Sequence, residues 1–253
     1  MKNDSVDNTI YDVYEDRWYT AFDDPVALLR AESVVKTKWT IEQIESKFKS
    51  LAKVSLLDVG CGGGFLSNAL AKTSMSITAV DLSETSLATA SRFDETKRVN
   101  YLVADAYHLP FADTSFEVIT AMDFLEHVEN PQLVIQEFSR VLKPGGLFIF
   151  HTFNRNWVAG LVVIKLVEWL VKNTPKNMHV LRLFIKPSEL NRFCNRAHMK
   201  VSAWSGIKPV LSTITIKSIF TGVVPKELRF ELTKSMMISY IGAAEKEQLH
   251  TAL

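Results

Sequence analysis

Residues Leu56-Leu57-Asp58-Val59-Gly60-Cys61-Gly62-Gly63-Gly64 run an apolar strand straight into a glycine turn. That pattern feeds a parallel strand into a helix N-terminus, where bare N–H groups can receive a ligand. A dinucleotide pyrophosphate calls for glycines spaced G-x-G-x-x-G, and the last of these positions is Phe65 here. Asp58 stands at the lip of the turn. Its carboxylate repels a diphosphate and suits a ligand with an ammonium and a sulfonium, which describes S-adenosylmethionine. The D-x-G-x-G-x-G run, with Asp58, Gly60, Gly62 and Gly64, therefore reads as a methyl-donor site. The plain alternative is a glycine turn of some other α/β protein in which Asp58 only ties down the loop.

Ser76–Asp81 is a second β-rich run that ends in an acid, 21 residues beyond Gly60. The spacing puts Asp81 at the tip of the neighbouring strand, where a carboxylate accepts from both hydroxyls of a ribose. Ser83 supplies the cap of a helix over 84–93, so Asp81 is not needed for that task. A third run, 99–104, ends at Asp105, placed to accept from an adenine amino group; aspartate is also common in any loop after a strand. Strands and helices alternate from Val54 to Phe153, as in a parallel sheet covered on both faces. A fourth strand is expected at 116–121. Asn130-Pro131 opens a helix to Leu142, and Lys143-Pro144-Gly145-Gly146 turns into a strand at 147–150.

The 253 residues, 47% of them hydrophobic, suit one domain with additions: a helical cover over 1–50 and a catalytic domain over 51–253. Trp18, Tyr19, Phe22 and Trp39 flank an expected helix from Pro25 to Phe48 that either roofs the pocket or packs on the sheet, packing being the simpler reading. A net charge of +1 makes no electrostatic case for nucleic acid. Cys61 and Cys194 form no disulfide framework and no metal-ligand spacing. Met1 to Tyr11 lacks the basic start and apolar run of a secretory signal, which leaves a cytoplasmic location as the default.

Asp123, Glu126 and His127 share one face if this segment makes a helical turn. Two hard oxygens and an imidazole suit Mg²⁺ or a similar divalent ion. Two other readings stand beside it: His127, with Glu126, as a direct proton acceptor, or a purely structural cluster. The segment 157–171, Trp157 through Val171, is apolar but too short and too interrupted by Lys165 and Glu168 to span a bilayer. It is either a cover helix or one lying on a membrane surface, anchored by Trp157 and Trp169 with Lys165 and Lys172 snorkelling.

Taken together, Asp58 to Gly64, Asp81, Asp105, Leu125-Glu126-His127-Val128 and Leu142-Lys143-Pro144-Gly145-Gly146 resemble the class I S-adenosylmethionine-dependent methyltransferases. Asp16-Arg17-Trp18-Tyr19, Asp123-x-x-Glu126-His127, Thr152-Phe153-Asn154-Arg155-Asn156, Thr174-Pro175-Lys176 and Phe184-Ile185-Lys186-Pro187 narrow the likeness to the ubiquinone-biosynthesis O-methyltransferases. The resemblance implies a Rossmann-like α/β fold with a seven-stranded sheet, helices on both faces and an inserted apolar helix within 154–186. Its last two strands would form a reversed hairpin between Met199 and Ile241. It further implies that Met122 lies along the adenosine and that an N-terminal cation, Lys36 or Arg30, meets the donor. The 123–126–127 cluster is read in that family as a metal site with glutamate first; Asp123 is one methylene shorter. The implied substrate is a small apolar aromatic phenol with a polyprenyl tail, with peripheral membrane contact through 157–171. C-methylation of a quinone precursor and a donor-binding module without turnover are the alternatives. Amino methylation of nucleic acid is disfavoured, because Met122-Asp123-Phe124-Leu125 replaces the Pro-Pro-aromatic element it uses.

Overall fold

The structure, a computed structural model, describes residues 8–175 and 178–248. Lys176 of the Thr174-Pro175-Lys176 stretch and the first seven residues lie outside that description. Eight strands form one sheet: β1 Ser55–Val59, β2 Ser76–Asp81, β3 Asn100–Val103, β4 Phe116–Met122, β5 Leu142–Phe153, β6 Met199–Pro209, β7 Phe230–Thr233 and β8 Ser239–Lys246. Their order is β3-β2-β1-β4-β5-β8-β6-β7. The first five are parallel, β8 enters antiparallel beside β5, and β6 and β7 continue antiparallel to the edge.

The strand count corrects the expected seven. The reversed pair is present as β6 and β8, and the extra member is β7, which pairs Phe230–Thr233 with Pro209–Gly206. Four residues after a long loop carry too little alternation to announce a strand, and the exposed edge of β6 supplies the partner. β5 also runs past the expected Phe150 through His151-Thr152-Phe153, pairing those three with Ile241, Tyr240 and Ser239.

Strand side chains alternate between two cores. Leu57, Val59, Ile119, Phe148 and Phe150 face one core, and Leu56, Val118, Leu147 and Ile149 face the other. The helices are α1 Arg17–Thr20, α2 Val26–Lys47, α3 Phe65–Leu70, α4 Glu84–Phe93, α5 Pro131–Val141, α6 Trp157–Ala159, α7 Val167–Leu170, α8 Pro187–Arg196 and α9 Ile216–Thr221. Two starts match the expected caps: Ser83 accepts from Ser86 N, and Asn130 accepts from Leu133 N with Pro131 in the first turn. On α5, Val134, Ile135, Phe138 and Val141 repeat at helical spacing and are fully buried in the first core. Trp39 and Ile44 of α2 join the second core, so packing on the sheet is realised for that helix.

The segment 157–170 is helical throughout, with a π-helical middle, Gly160–Leu166, between α6 and α7. Ala159 and Val163 pack on Phe153 and Phe184, while Trp157 and Trp169 point outward. Among the described residues no helix is long and apolar enough to cross a membrane. Strand order reverses between β2-β1 and β4-β5. In such sheets the crevice beyond the carboxyl ends at the reversal is where ligands bind.

Candidate active site

A cavity of about 640 Å³ opens at that crevice. The glycine turn forms its floor. Gly60 N and Cys61 N both donate to Val80 O, at 2.9 and 3.1 Å, which folds the turn back over β2. Gly60 and Gly62 have φ of +68° and +51°. A Cβ at Gly60 would run into the Phe124 ring, and one at Gly62 would meet the Trp18 indole at 3.0 Å. Close approach of aromatic rings therefore demands glycine at both positions. Trp18 is 4% exposed, lines the cavity and lies over Gly62 and Gly63, so the N-terminal aromatic both packs and roofs the turn.

Asp58, Gly60, Gly62, Asp81, Asp105, Met122, Asp123, His127 and Lys36 all line this one space. Gly64 does not. Its φ of +79° starts α3, and its missing Cβ makes room for Ala90 at 2.7 Å, so its task is helix packing rather than ligand contact. Asp81 accepts from Gly62 N at 2.8 Å and from Ser83 N at 3.0 Å, joining the turn to the tip of β2 with lone pairs to spare. Burial raises its pKa, offset in part by those backbone donors. Asp58 accepts from Ser67 Oγ at 2.5 Å and Thr120 Oγ1 at 2.7 Å, so it does tie the loop while lining the cavity. Burial pushes its carboxyl up to about 6, against the pull of both hydroxyls. Asp105 accepts from Tyr107 N at 2.9 Å and is half exposed at the far rim. Of the two N-terminal cations, only Lys36 reaches the cavity. Arg30 donates to Trp18 O and Ala21 O and lies over Phe22.

The opposite end is built from side chains. Asp123 has φ of +53°, and the helical turn is a short 3-10 segment, Leu125–His127, that begins after it. The shared face expected for Asp123, Glu126 and His127 therefore does not form, and the three carry their polar atoms in different directions. Asp123 receives Lys36 Nζ at 2.6 Å and His151 Nδ1 at 2.6 Å. Glu126, 1% exposed, lies behind the cavity wall and accepts from Thr152 Oγ1 at 2.7 Å; its Oε1 has no hydrogen-bond partner among the described residues. His127 Nε2 faces the cavity, 3.3 Å from the Tyr11 hydroxyl.

These positions do not suit the expected metal ion. Among the described residues, the donor atoms that converge are those of Glu32, Asp123 and His151. A cation is already among them, because Lys36 Nζ is 2.8 Å from Glu32 as well as 2.6 Å from Asp123. An ammonium bridging two buried carboxylates meets the charge requirement that a divalent ion would otherwise meet. Burial opposes the charge on Asp123, but Lys36 and His151 outweigh it and hold the carboxyl far below the usual range. Burial works against the Lys36 ammonium too, and Asp123 and Glu32 raise it nonetheless. Burial and the Asp123 charge push Glu126 up to about 8, so at neutral pH it keeps its proton. Burial pushes His127 down to about 4, leaving a neutral imidazole.

Tyr11, Glu32 and His151 carried no functional reading in the sequence, and Thr152 entered only as part of the Thr152–Asn156 segment of the family resemblance. Glu32 and Lys36 at i, i+4 look like an ordinary surface pair. A histidine inside the apolar run Leu147–Phe153 was the available clue to His151, which is completely buried. Nothing local marks Tyr11.

A methyltransferase domain family model matches residues 57–150, which hold the glycine turn and most of the five parallel strands. A ubiquinone biosynthesis O-methyltransferase of an Azoarcus species is 38% identical over 62% of this chain and 69% of its own length. One from Coxiella burnetii is 32% identical over 93% of both chains. The chain belongs to the ubiquinone biosynthesis O-methyltransferase family. As a member of that family it is an S-adenosylmethionine-dependent methyltransferase, and the donor reading of Asp58 and the glycines agrees with this. The fold is shared more widely. Magnesium protoporphyrin IX methyltransferase from Synechocystis, solved with bound S-adenosylhomocysteine, superposes with a TM-score of 0.58 over 84% of this chain and 82% of that one, at 15% identity.

Proposed function

We propose that this family member moves the methyl group of S-adenosylmethionine to a ring hydroxyl of a polyprenylated phenol, the ubiquinone-pathway chemistry for which its relatives are named. The observation that carries this reading is the contact between the Tyr11 phenol and His127 Nε2, inside the cavity that the glycine turn floors. A phenol oxygen can reach the imidazole there, a hydroxyl to a neutral nitrogen.

Donor binding falls to the turn. Asp81 accepts from the ribose, Asp105 from the adenine amino group, Met122 lies along the adenosine, and Asp58 faces the positive end of the donor. Methyl transfer is an in-line displacement: the acceptor oxygen forms the C–O bond, the C–S bond breaks, and the sulfonium becomes a neutral thioether. Opposite charges cancel, so a dry and positioned pair reacts fastest.

The hydroxyl proton goes to His127 Nε2. A phenol of ordinary pKa, ~10, does not give its proton fully to an imidazole of low basicity in the ground state. It gives it up as the oxygen takes the methyl group and becomes far more acidic, so transfer is late and concerted. Glu126, protonated behind the wall, adds no second negative charge beside Asp123. Lys36 holds Asp123 in place.

Incubation with labelled donor and a panel of prenylated hydroxyphenols tests the reading by mass spectrometry. An O-methyl ether is the expected product. A carbon-methylated ring, or donor binding with no product from any acceptor, would overturn it.

A further inference from the structure

Residues 8–14 cross the crevice above the glycine turn and are fastened on both of its sides. They open with a 3-10 turn, Asn8–Tyr11, and bring Thr9, Tyr11 and Asp12 into the cavity lining. Neighbouring side chains then part. Tyr11 reaches His127 Nε2, after β4, while Asp12 accepts from Ser83 Oγ at 2.5 Å and from Thr85 Oγ1 at 3.4 Å, where α4 begins after β2. Ser83 N in turn donates to Asp81, so one attachment stands beside the proposed ribose partner and the other on the proposed proton acceptor. β1 and its glycine turn lie between the two, because the strand order there is β2-β1-β4.

The segment has a firm root and a weak hold beyond it. At the root, Trp18 O accepts from Arg30, Tyr19 OH donates to Gly63 O at 2.8 Å, and the Tyr19 ring stacks on Phe93 with centroids 4.0 Å apart. Glu15 then turns the chain with φ of +40°, a left-handed value that strains a residue other than glycine. Tyr14 is buried in a small cluster with Trp18 and Val26, apart from the two sheet cores, and its hydroxyl has no hydrogen-bond partner among the described residues. Strain and an unmet polar group both work against closure. Asp12 is exposed, so water competes for its hydrogen bonds. A segment held in this way opens locally while the rest of the fold stays intact.

We propose that residues 8–14 form a strap with two latches, Asp12 on Ser83 and Tyr11 on His127, which pivots at Glu15 and must lift for S-adenosylmethionine to enter and for its thioether product to leave. The latches join protein to protein. Neither holds the donor, so they set the rates of entry and exit and leave the affinity to the turn and Asp81. One segment carries both latches, so releasing Tyr11 at the acceptor end speeds donor exchange at the other. The strap acts on the donor whatever the acceptor.

Stopped-flow tryptophan fluorescence of the full chain with S-adenosylhomocysteine measures entry, since Trp18 lies over Gly62 and Gly63. Release of the labelled compound into an excess of unlabelled compound measures exit. Wild-type entry is expected to level off at high ligand concentration, at the rate of strap opening. Asp12→Ala should raise that ceiling and the exit rate together by roughly tenfold, and Tyr11→Phe by roughly threefold, as expected for loss of a charged and of a neutral hydrogen bond. The dissociation constant should stay that of wild type in both, which also shows that the variants are folded. Entry and exit rates equal to wild type in both variants would overturn the strap. So would an Asp12→Ala variant that binds more weakly through faster exit alone, which would make Asp12 a direct ligand of the donor. Faster exchange in Asp12→Ala with none in Tyr11→Phe would overturn the second latch.

Discussion

The two ends of the cavity are made of different material. At the donor end the contacts come from one short loop and the tips of adjacent strands, and much of the geometry is backbone: Gly60 and Cys61 on Val80, Gly62 on Asp81. At the acceptor end Tyr11, Lys36, Asp123, His127 and His151 converge from an N-terminal turn, α2, the loop after β4 and β5. Backbone geometry leaves a compact mark on the sequence, since only glycine fits at Gly60 and Gly62. Side-chain convergence leaves almost none. The comparison predicts that damage at one end will spare the other.

The sharpest break is at Asp81. Asp81→Ala removes an acceptor of two backbone N–H groups and the proposed ribose partner, and should weaken donor binding by roughly a hundredfold or more, at about 1.5–3 kcal/mol per charged hydrogen bond. Calorimetric titration with S-adenosylhomocysteine measures it; unaltered affinity would remove Asp81 from the donor site. At the acceptor end, Lys36→Met leaves Glu32 and Asp123 buried without their ammonium and should cost about 3–5 kcal/mol of folding stability by denaturant unfolding. If the stability is unchanged, the internal ion cluster does not hold the site together.

A smaller effect sharpens the donor end through pH. Asp58 attracts the donor's cationic groups only when ionised, and its pKa lies near 6. Donor affinity should therefore be flat above neutrality and fall about tenfold from pH 7 to pH 5, following one proton. Asp58→Asn should bind more weakly at neutral pH and lose that dependence. The smallest change belongs to Tyr11→Phe. Removing the phenol that competes for His127 Nε2 should lower the acceptor KM a few-fold with donor affinity intact. A raised acceptor KM would mean that Tyr11 helps to hold the acceptor rather than standing in its place.

The same contrast explains what could be read in advance. The strand-and-turn grammar from β1 to β4, the caps at Ser83 and Asn130 and the placement of Asp81 follow from local patterns, and each appears where expected. Gly64 shows the limit of such patterns: it belongs to the glycine run, yet it serves the contact with Ala90. The i, i+3, i+4 spacing of Asp123, Glu126 and His127 misled because Asp123 takes a left-handed φ, which no helical wheel anticipates. Lys36 could be named as a cation of the site, but its partners lie 87 residues away at Asp123 and four away at Glu32. β7 depends on an edge offered by β6, a tertiary condition invisible in four residues.

The central claim is that donor binding and proton removal are separate duties of the two ends. Donor titration and single-turnover methyl transfer, both measured on His127→Ala, test it most directly. The account predicts wild-type donor affinity with transfer slowed about 10²- to 10⁴-fold, the range for loss of a positioned base. Wild-type transfer, or lost donor binding, in that variant would contradict it.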